Sequence, residues 1–358
     1  MLSTPNFVST KAITTEVAVI GAGSAGCLIA NLLDSDGIDC LLIEKSRGMG
    51  GRCSRRRIST DDDAHYAIDL GGSDISPKKV TNLLLKKMLD TWRDAGYLSQ
   101  WVQNTSRFDH QCEANKTVST LCGAPSMNSW HSNIASHINT LFQSRVCSLK
   151  KADGYWHLLD EENHIIAVSK KIVITAPPEQ TRALLDTAQL LDPISLPDTL
   201  PQESLPQYVC AIGFSHPQIM DADVYQSGHI SLHKAIRENS KPGRAYPTDL
   251  KEVWVLQSTY EWAQELCHMD SNTAATKLAD AFCKHFGIED KPIVLTSHYW
   301  RMAKYKTVMP NTAQYFWDEE NKIGCIGDWL GGGGTTGALT SAVTLHQAML
   351  DSIKAVTV

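Results

Sequence analysis

Three glycines near the N-terminus, Gly21, Gly23 and Gly26, have the G-x-G-x-x-G spacing of a pyrophosphate-binding loop. In such a loop the first glycine allows a tight turn, the second lets the backbone approach the phosphates, and the third lets the next helix pack closely. Ser24 and Ala25 lie at the start of that helix, where N–H groups without helical partners favour an anion. The spacing therefore predicts that these five residues bind a dinucleotide.

The flanking residues predict the strands and helix that must position this loop. Residues 17–20 are a short apolar, mostly β-branched run, typical of a buried parallel strand, and residues 24–34 are predicted to form a helix. Residues 40–43 are predicted to form a second strand, with Glu44 at its end, where a carboxylate accepts hydrogen bonds from ribose hydroxyls. A glutamate at this position disfavours a 2′-phosphate. The alternative, a simple tight turn, does not explain the second strand and the acid.

A glycine- and arginine-rich run follows Glu44, and residues 44–52 resemble the amine-oxidase-like FAD flavoproteins, most closely their renalase-like subgroup. The resemblance implies that Lys45, Arg47 and Gly51 lie against the FAD. It also implies that Arg52 pairs with the pyrophosphate, as arginine does in many phosphate sites. The alternative is a basic surface loop, which we favour only for residues 55–57.

A second glycine-rich signature lies near the C-terminus. Residues 323–326 are predicted to form a buried strand, followed by Asp328, four glycines and a long helix from residue 335 to about 353. The resemblance implies that Asp328 binds the ribityl and diphosphate region, and that Thr336, Gly337 and Ala338 direct the helix dipole at the flavin. The family usually has glutamate where this chain has Thr336, which leaves the substrate specificity open.

The resemblance also implies cofactor contacts from the middle of the chain. Gly71 and Gly72 would lay their backbone beside the flavin ring, although a strand-ending turn is the alternative. The backbone of Val146 would contact the adenine.

The same resemblance implies the fold class: α/β, with a Rossmann-type FAD-binding domain and an interleaved substrate domain of antiparallel sheet plus helices. A chain of 358 residues is long enough for two domains. We expect residues 14–75, 126–190 and 316–358 to form the FAD-binding domain, and residues 76–125 and 191–315 to form the substrate domain.

Apolar periodicity and turn residues predict further elements. We expect helices at 77–95, 128–142 and 178–190, a helix at 271–286 capped by Ser271, and strands at 207–215, 228–233, 252–258 and 292–301. Residues 234–244 are basic and contain glycine and proline, and we expect them to be solvated surface; a role in gathering an anionic substrate is the alternative. Residues 193–206 are a proline-rich loop, and residues 1–10 a loose tail.

Candidate pocket residues lie in the run 298–303, which resembles a run of the same subgroup that returns the chain to the flavin. His298, Trp300 and Arg301 are the candidates, while Tyr299 and Met302 depart from the pattern. Domain-interface packing is the alternative for Trp300. The sequence contains neither a recognisable catalytic triad nor paired carboxylates.

Composition excludes several functional classes. The net charge of −6 argues against a nucleic-acid partner, and no apolar run approaches the ~18 residues of a membrane span. The ten cysteines are scattered, which favours buried free thiols, and with no signal peptide this predicts a cytoplasmic protein. The thirteen histidines have no metal-ligand spacing, so we expect no metal.

The resulting hypothesis is an FAD-dependent oxidase. It takes a hydride from a reduced carbon next to nitrogen in a small molecule, either a dihydronicotinamide isomer or an amine, and dioxygen then re-oxidises the flavin to give hydrogen peroxide. Two alternatives stay open: a biosynthetic dehydrogenase or desaturase with another acceptor, and a protein whose FAD is structural. The oligomeric state is left open.

Overall fold

The structure is a computed structural model that describes residues 12–59, 65–109, 116–190, 204–305 and 314–356. The predicted N-terminal tail and most of the proline-rich loop lie outside these residues. The strands, in chain order, are β1 (Ile13–Ile20), β2 (Cys40–Ile43), β3 (Arg55–Ser59), β4 (His65–Asp69), β5 (Leu98–Ser106), β6 (Lys116–Gly123), β7 (Asn139–Leu141), β8 (Ser148–Ala152), β9 (Tyr155–Leu159), β10 (Ile165–Ile174), β11 (Ser204–Phe214), β12 (Val224–Gln226), β13 (Leu232–Arg237), β14 (Glu252–Ser258), β15 (Ile293–Tyr305), β16 (Phe316–Asp318) and β17 (Ile323–Cys325). The helices are α1 (Ser24–Ser35), α2 (Leu83–Asp94), α3 (Ser129–Ala135), α4 (Pro178–Thr187), α5 (Tyr260–Glu265), α6 (Ser271–Phe286), α7 (Asp328–Gly331) and α8 (Gly334–Val356).

The first sheet has the strand order β16-β17-β10-β1-β2-β7, and the β8–β9 hairpin extends it from β10. The central strands β17, β10, β1, β2 and β7 run parallel. Their apolar residues are buried because helices cover the sheet, as expected of a parallel sheet. Helices α1 and α8 pack against each other, so the two ends of the chain meet here.

The second sheet has the order β15-β11-β14-β13-β12-β5-β6 and is antiparallel except between β12 and β5. Its side chains alternate between two faces. Cys210 and Ile212 pack with α6 on the outer face, whereas Val209 and Ala211 share a core with residues of α1 and α8 on the inner face. The inner face of this sheet therefore faces the first domain. The predicted fold class is confirmed, and the exact domain boundaries stay a prediction.

Five predicted elements clearly differ from the structure. The surface loop expected at residues 55–57 is instead part of strand β3, which pairs with β4. The predicted helix 128–142 ends at Ala135, and Asn139–Leu141 forms β7, because β2 offers a free edge and Glu44 N–H bonds to the Leu141 carbonyl at 2.8 Å. The predicted helix 77–95 begins at Leu83, where the Asn82 side chain caps it.

The other two differences concern an element boundary and a cap. The predicted strand 228–233 is β13, which spans Leu232–Arg237, and the sharp turn before it includes Gly228 at φ 88°. The cap of α6 is Asp270 rather than Ser271, since the Asp270 carboxylate accepts from the N–H groups of Asn272 and Thr273.

Candidate active site

The N-terminal glycine loop has the conformation that its spacing predicts. Gly21 lies at φ +107°, in the region that favours glycine, and a Cβ on Gly26 would lie 1.8 Å from the Gly21 carbonyl oxygen. A Cβ on Gly23 would meet no atom within 4 Å, so this backbone borders open space. Gly23 also caps α1 without a side-chain hydrogen bond. The first-turn N–H groups, including those of Ser24 and Ala25, are therefore placed to bind an anion.

Ser24 has a buried neighbour that sequence reasoning missed. The hydroxyl of Ser24 lies 2.9 Å from Nε2 of His131, whose Nδ1 lies 3.3 Å from the Asn128 carbonyl oxygen. Burial lowers the pKa of His131 to about 3, so the ring is neutral at physiological pH. No motif predicted this contact, because 107 positions separate the two residues.

Glu44 ties the end of β2 to the glycine loop. Its buried carboxylate accepts from Ala22 N–H at 2.8 Å and from Ser46 N–H at 2.7 Å. Each carboxylate oxygen has a second lone pair, so both can still accept from hydroxyl donors such as those of a ribose. Ser144 N–H donates to the Glu44 carbonyl at 3.0 Å, which places the segment containing Val146 at the same end of β2.

The run after Glu44 folds back over the glycine loop. Gly50 N–H donates to the Ala22 carbonyl at 2.8 Å, and a Cβ on Gly51 would lie 3.2 Å from the Gly23 Cα. Lys45 and Arg47 are exposed on the same run.

Arg52 joins the two glycine-rich signatures. Its guanidinium donates to the Asp328 carboxylate and, at 3.1 Å, to the Ala303 carbonyl. Burial by itself would lower the pKa of Arg52, but the Asp328 charge outweighs it and holds the pKa above its ordinary value. The residue predicted to meet the pyrophosphate is thus paired with the acid predicted to bind the ribityl region.

Gly71 and Gly72 pass between these two signatures. A Cβ on Gly71 would lie 1.9 Å from the Arg52 carbonyl oxygen, and Gly72 N–H donates to that oxygen at 2.9 Å. A Cβ on Gly72 would lie 3.1 Å from the Thr335 hydroxyl. Only glycine fits at position 71, because the Arg52 backbone approaches so closely, and the contact at Gly72 is tight.

The start of α8 is equally close-packed. Thr336 accepts from Ser76 N–H at 3.0 Å through its hydroxyl. A Cβ on Gly337 would lie 2.9 Å from the Gly331 carbonyl oxygen, and Ala338 beside it is buried. A Cβ on Gly332 or Gly334 would meet nothing within 4 Å, so this glycine turn, like Gly23, borders open space.

The inner face of the second sheet lies directly on residues 70–73. Trp300 Nε1 donates to the Leu70 carbonyl at 2.7 Å, and Gln257 Nε2 donates to the Gly71 carbonyl at 3.2 Å. His298 lies on the same face of β15, with its ring centroid 4.3 Å from that of Trp300. Burial, with a smaller effect from the charge of Arg56, lowers the pKa of His298.

Arg301 does not join this group. Successive residues of a strand point to opposite faces, so Arg301 lies on the outer face with Tyr299, and it is exposed. The structure therefore brings two of the three predicted pocket candidates, His298 and Trp300, together on the inner face.

The basic stretch 234–244 is not solvated surface, contrary to the sequence prediction. Lys241 and Arg244 are buried, and both contact Asp69, at 3.3 Å and 2.5 Å. Glu238 lies 2.5 Å from Lys241 and 3.7 Å from Arg244. The carboxylate of Asp69 also accepts from Met127 N–H at 2.8 Å. Local sequence could not reveal this cluster, because Asp69 is more than 170 positions from its cationic partners.

Lys234, at the start of the same stretch, was also missed. It lies in β13, and its Nζ is 3.0 Å from the Ser73 hydroxyl and 3.8 Å from the Asp74 carboxylate. The inner face of the second sheet therefore contacts residues 73 and 74 as well as Leu70 and Gly71.

The described residues contain no group of His, Cys, Asp and Glu side chains that could hold a metal ion. No described helix is long and apolar enough to cross a membrane. The nine cysteines in the described part of the chain are free thiols. Burial raises the pKa of several of them, for example that of Cys325 to about 12, so these thiols are protonated at physiological pH.

Comparison with known proteins agrees with this geometry. A family described as an NAD(P)-binding Rossmann-like domain matches residues 19–90. A redesigned triple mutant of putrescine oxidase has a TM-score of 0.67 at 10% identity, covering 96% of this chain and 100% of that one. Wild-type putrescine oxidase bound to putrescine has a TM-score of 0.65, with the same identity and coverage.

A protein described as a candidate protoporphyrinogen oxidase from Exiguobacterium sp. 255-15 has a TM-score of 0.65 at 10% identity. The match covers 95% of this chain and 99% of that one. These likenesses show that the chain has the two-domain fold of these oxidases, with a Rossmann-like dinucleotide-binding domain.

Proposed function

We propose that this protein is a renalase-like FAD-dependent oxidoreductase. It takes a hydride from a reduced carbon next to nitrogen in a small molecule, either a dihydronicotinamide isomer or an amine, and dioxygen is the acceptor that is reduced to hydrogen peroxide. FAD, when bound, supplies the hydride acceptor at its N5 position.

The observation that carries the proposal is the meeting of two helix N-termini around one closely packed set of glycines. The N-terminus of α1 and the start of α8 come from opposite ends of the chain, and Arg52, Asp328 and Gly72 connect them. A nicotinamide site needs the first helix terminus, whereas an elongated flavin dinucleotide uses both. The open backbone at Gly23 and Gly332 fits such a ligand.

The chain's own residues supply binding and orientation. Glu44 would accept from the ribose hydroxyls, the first turn of α1 would bind the pyrophosphate, and Asp328 would accept from the ribityl region. Lys45, Arg47, Val146 and the first residues of α8 stay proposed contacts of the cofactor. Trp300 and His298 would cover the reactive end and exclude water, which favours hydride transfer over side reactions.

The fold of putrescine oxidase, whose structure includes bound putrescine, supports an amine-like substrate. The resemblance of residues 44–52 to renalase-like proteins supports a dihydronicotinamide isomer. Both substrates share the reduced carbon next to nitrogen, so the reaction type is the same for either.

The test is to purify the protein, record its visible spectrum and mix it anaerobically with two donor sets. One set contains dihydronicotinamide isomers and the other contains primary and secondary amines. We expect flavin absorption that bleaches with at least one set and recovers in air with formation of hydrogen peroxide. A colourless protein that FAD cannot reconstitute would refute the proposal. Bleaching followed by slow recovery in air would identify a dehydrogenase instead.

A further inference from the structure

Three side chains beside the Gly71–Gly72 backbone form a hydrogen-bonded chain. Lys234 Nζ lies 3.0 Å from the Ser73 hydroxyl oxygen, which lies 2.5 Å from Asp74 Oδ1. Lys234 and Asp74 are themselves 3.8 Å apart. The Lys234 side chain is 18% exposed and that of Asp74 is 23% exposed, so this group, the Lys234–Ser73–Asp74 chain, is largely shielded from water.

The chemistry of the three groups fixes the direction of the hydrogen bonds. An ammonium group can only donate, so the Ser73 oxygen accepts from Lys234. The Ser73 hydroxyl proton is then free to be donated to Asp74, which as a carboxylate can only accept. The chain therefore runs from a proton donor to a proton acceptor, through a hydroxyl that can pass a proton between them.

The position of Lys234 places it on the candidate active site. Across the sheet, Lys234 pairs with Gln257, Gln257 pairs with Val209, and Val209 pairs with His298. These residues form one row, and Gln257 and Trp300 on the same face bond to Gly71 and Leu70. Lys234 is thus the cationic member of the face that covers residues 70–74.

We propose that Lys234 is the general base of this site, that Ser73 and Asp74 relay its proton, and that the substrate is an amine with an ionisable N–H group. This inference rests on the proposed function. Before the reaction, the Lys234 proton passes to Ser73 as the Ser73 proton passes to Asp74, which leaves a neutral amine facing the substrate.

The oxidation step then balances in atoms and electrons. The substrate C–H bond breaks, and its electron pair leaves as hydride to the flavin that the proposed function supplies. The N–H bond breaks as well, its proton goes to the Lys234 amine, and the electron pair left on nitrogen forms the C=N bond of an imine. Substrates without an N–H proton, such as N-alkylated dihydropyridines, need no such base.

Burial of Lys234, rather than the charge of Asp74 beside it, favours this role. Burial lowers the pKa of Lys234, as does the charge of Lys241, whereas Asp74 and Glu238 raise it. The net effect is a lowered pKa of Lys234, so its amine becomes neutral at a lower pH than that of an exposed lysine. General bases in enzymes are tuned in this way.

The kinetic test uses Lys234→Met, Lys234→Arg and Ser73→Ala, with Lys251→Met at an exposed lysine as the matched control. Anaerobic flavin reduction is measured with a panel of secondary amines and with N-methyl dihydronicotinamide isomers. We expect Lys234→Met to slow reduction by amines about 10²–10⁴-fold, with partial rescue by added ethylamine. Arginine should not rescue, because it cannot give up its proton at accessible pH. Ser73→Ala should also slow the amines.

Reduction by the N-methyl compounds should slow far less in Lys234→Met than reduction by the amines does. Equal losses with both donor sets, or full activity of Lys234→Arg, would overturn the proposal by showing a structural or purely electrostatic role. Reduction of the wild type by N-methyl compounds but by no amine would also overturn it. If no donor reduces a flavin-containing wild type, the proposed function fails instead.

A second readout needs no turnover. Labelling of lysine amines across a pH series, read by mass spectrometry, reports the pH at which Lys234 becomes neutral. Asp74→Asn removes a charge that raises the pKa of Lys234, so labelling of Lys234 should shift to lower pH while that of Lys251 stays unchanged. An unchanged pH profile of Lys234 labelling in a folded Asp74→Asn variant would show that Asp74 does not influence the protonation of Lys234. That result would overturn the relay.

Discussion

The guanidinium of Arg52 donates a hydrogen bond to the carboxylate of Asp328, which lies 276 positions later in the chain. This pair holds the loop after the first nucleotide signature against the turn of the second. Arg52 also contacts the segment beside the predicted flavin site, because its carbonyl accepts from Gly72 N–H at 2.9 Å.

Replacing Asp328 with alanine should lower the flavin content of the purified protein without unfolding it. Arg52 would lose its partner, but its side chain is 34% exposed, so solvent screens the loss and the free energy of unfolding should fall by only about 1 kcal/mol. Visible absorbance per protein and urea unfolding measure the two effects. Asp328→Asn, which keeps an acceptor oxygen, is the control and should lose less flavin. Full flavin occupancy in Asp328→Ala would contradict the assignment.

Glu44→Ala should weaken the retention of FAD by about 1.5–3 kcal/mol, because a ribose hydroxyl loses a charged acceptor. The variant also leaves the N–H groups of Ala22 and Ser46 without their acceptor, so the loop itself should loosen. Equilibrium binding of FAD to the apoprotein measures the change. Glu44→Gln retains one carbonyl oxygen and should bind FAD with intermediate affinity; equal affinity of all three proteins would show that this carboxylate does not meet the cofactor.

Gly71→Ala should destabilise the protein by about 3 kcal/mol, since the new methyl group would lie 1.9 Å from the Arg52 carbonyl oxygen and the backbone must move. The same movement should reduce flavin binding. Gly48→Ala is a matched control, because a Cβ there meets no atom within 4 Å. Urea unfolding and flavin content of both variants test this. Similar behaviour of the two alanine variants would mean that residues 52 and 71 are not in close contact.

The buried cluster of Asp69, Glu238, Lys241 and Arg244 should make stability depend on pH. Burial alone would raise the pKa of Asp69, but the charges of Lys241 and Arg244 outweigh it and hold the pKa below its usual range. Its ionisation therefore stabilises the fold above the unfolded pKa of about 3.9, and this stabilisation is lost as pH falls through the lower folded value.

Asp69→Asn should accordingly cost about 3 kcal/mol at neutral pH, because two buried cations lose their shared partner. The difference from wild type should begin to shrink below about pH 4, where Asp69 becomes protonated in the unfolded state, and should be lost as pH falls through the lower folded pKa. Urea unfolding across a pH series measures it. Asp94→Asn, at an exposed surface pair, should show no such pH-dependent difference. A stability difference that is constant down to pH 2 would rule out this linkage.

Much of the first domain could be predicted from sequence because its signals are local. The strand, turn and helix at residues 17–34 follow each other directly, so apolar runs and glycine spacing determine their conformation. The same holds for residues 323–338, where a buried strand, a glycine turn and a helix are again consecutive. These local units carry the resemblance to the flavoprotein family, and that resemblance was what predicted the fold class.

Sequence patterns gave wrong predictions where the conformation depended on a free strand edge, on the face of a strand, or on a charged residue far away in the chain. Residues 139–141 became a strand because β2 had a free edge, and helical periodicity contains no information about that edge. Arg301 points away from Trp300 because the pleat alternates from one residue to the next.

The sequence by itself determined the Rossmann-like unit at residues 19–90, because its strand, glycine turn and helix are neighbours in the chain. Only the tertiary structure decided that Lys234, Lys241 and Arg244 are shielded from water, since their partners Ser73, Asp74 and Asp69 lie on another part of the chain. A basic stretch is solvated unless distant carboxylates compensate the cost of burying it, and that compensation exists only in the folded protein.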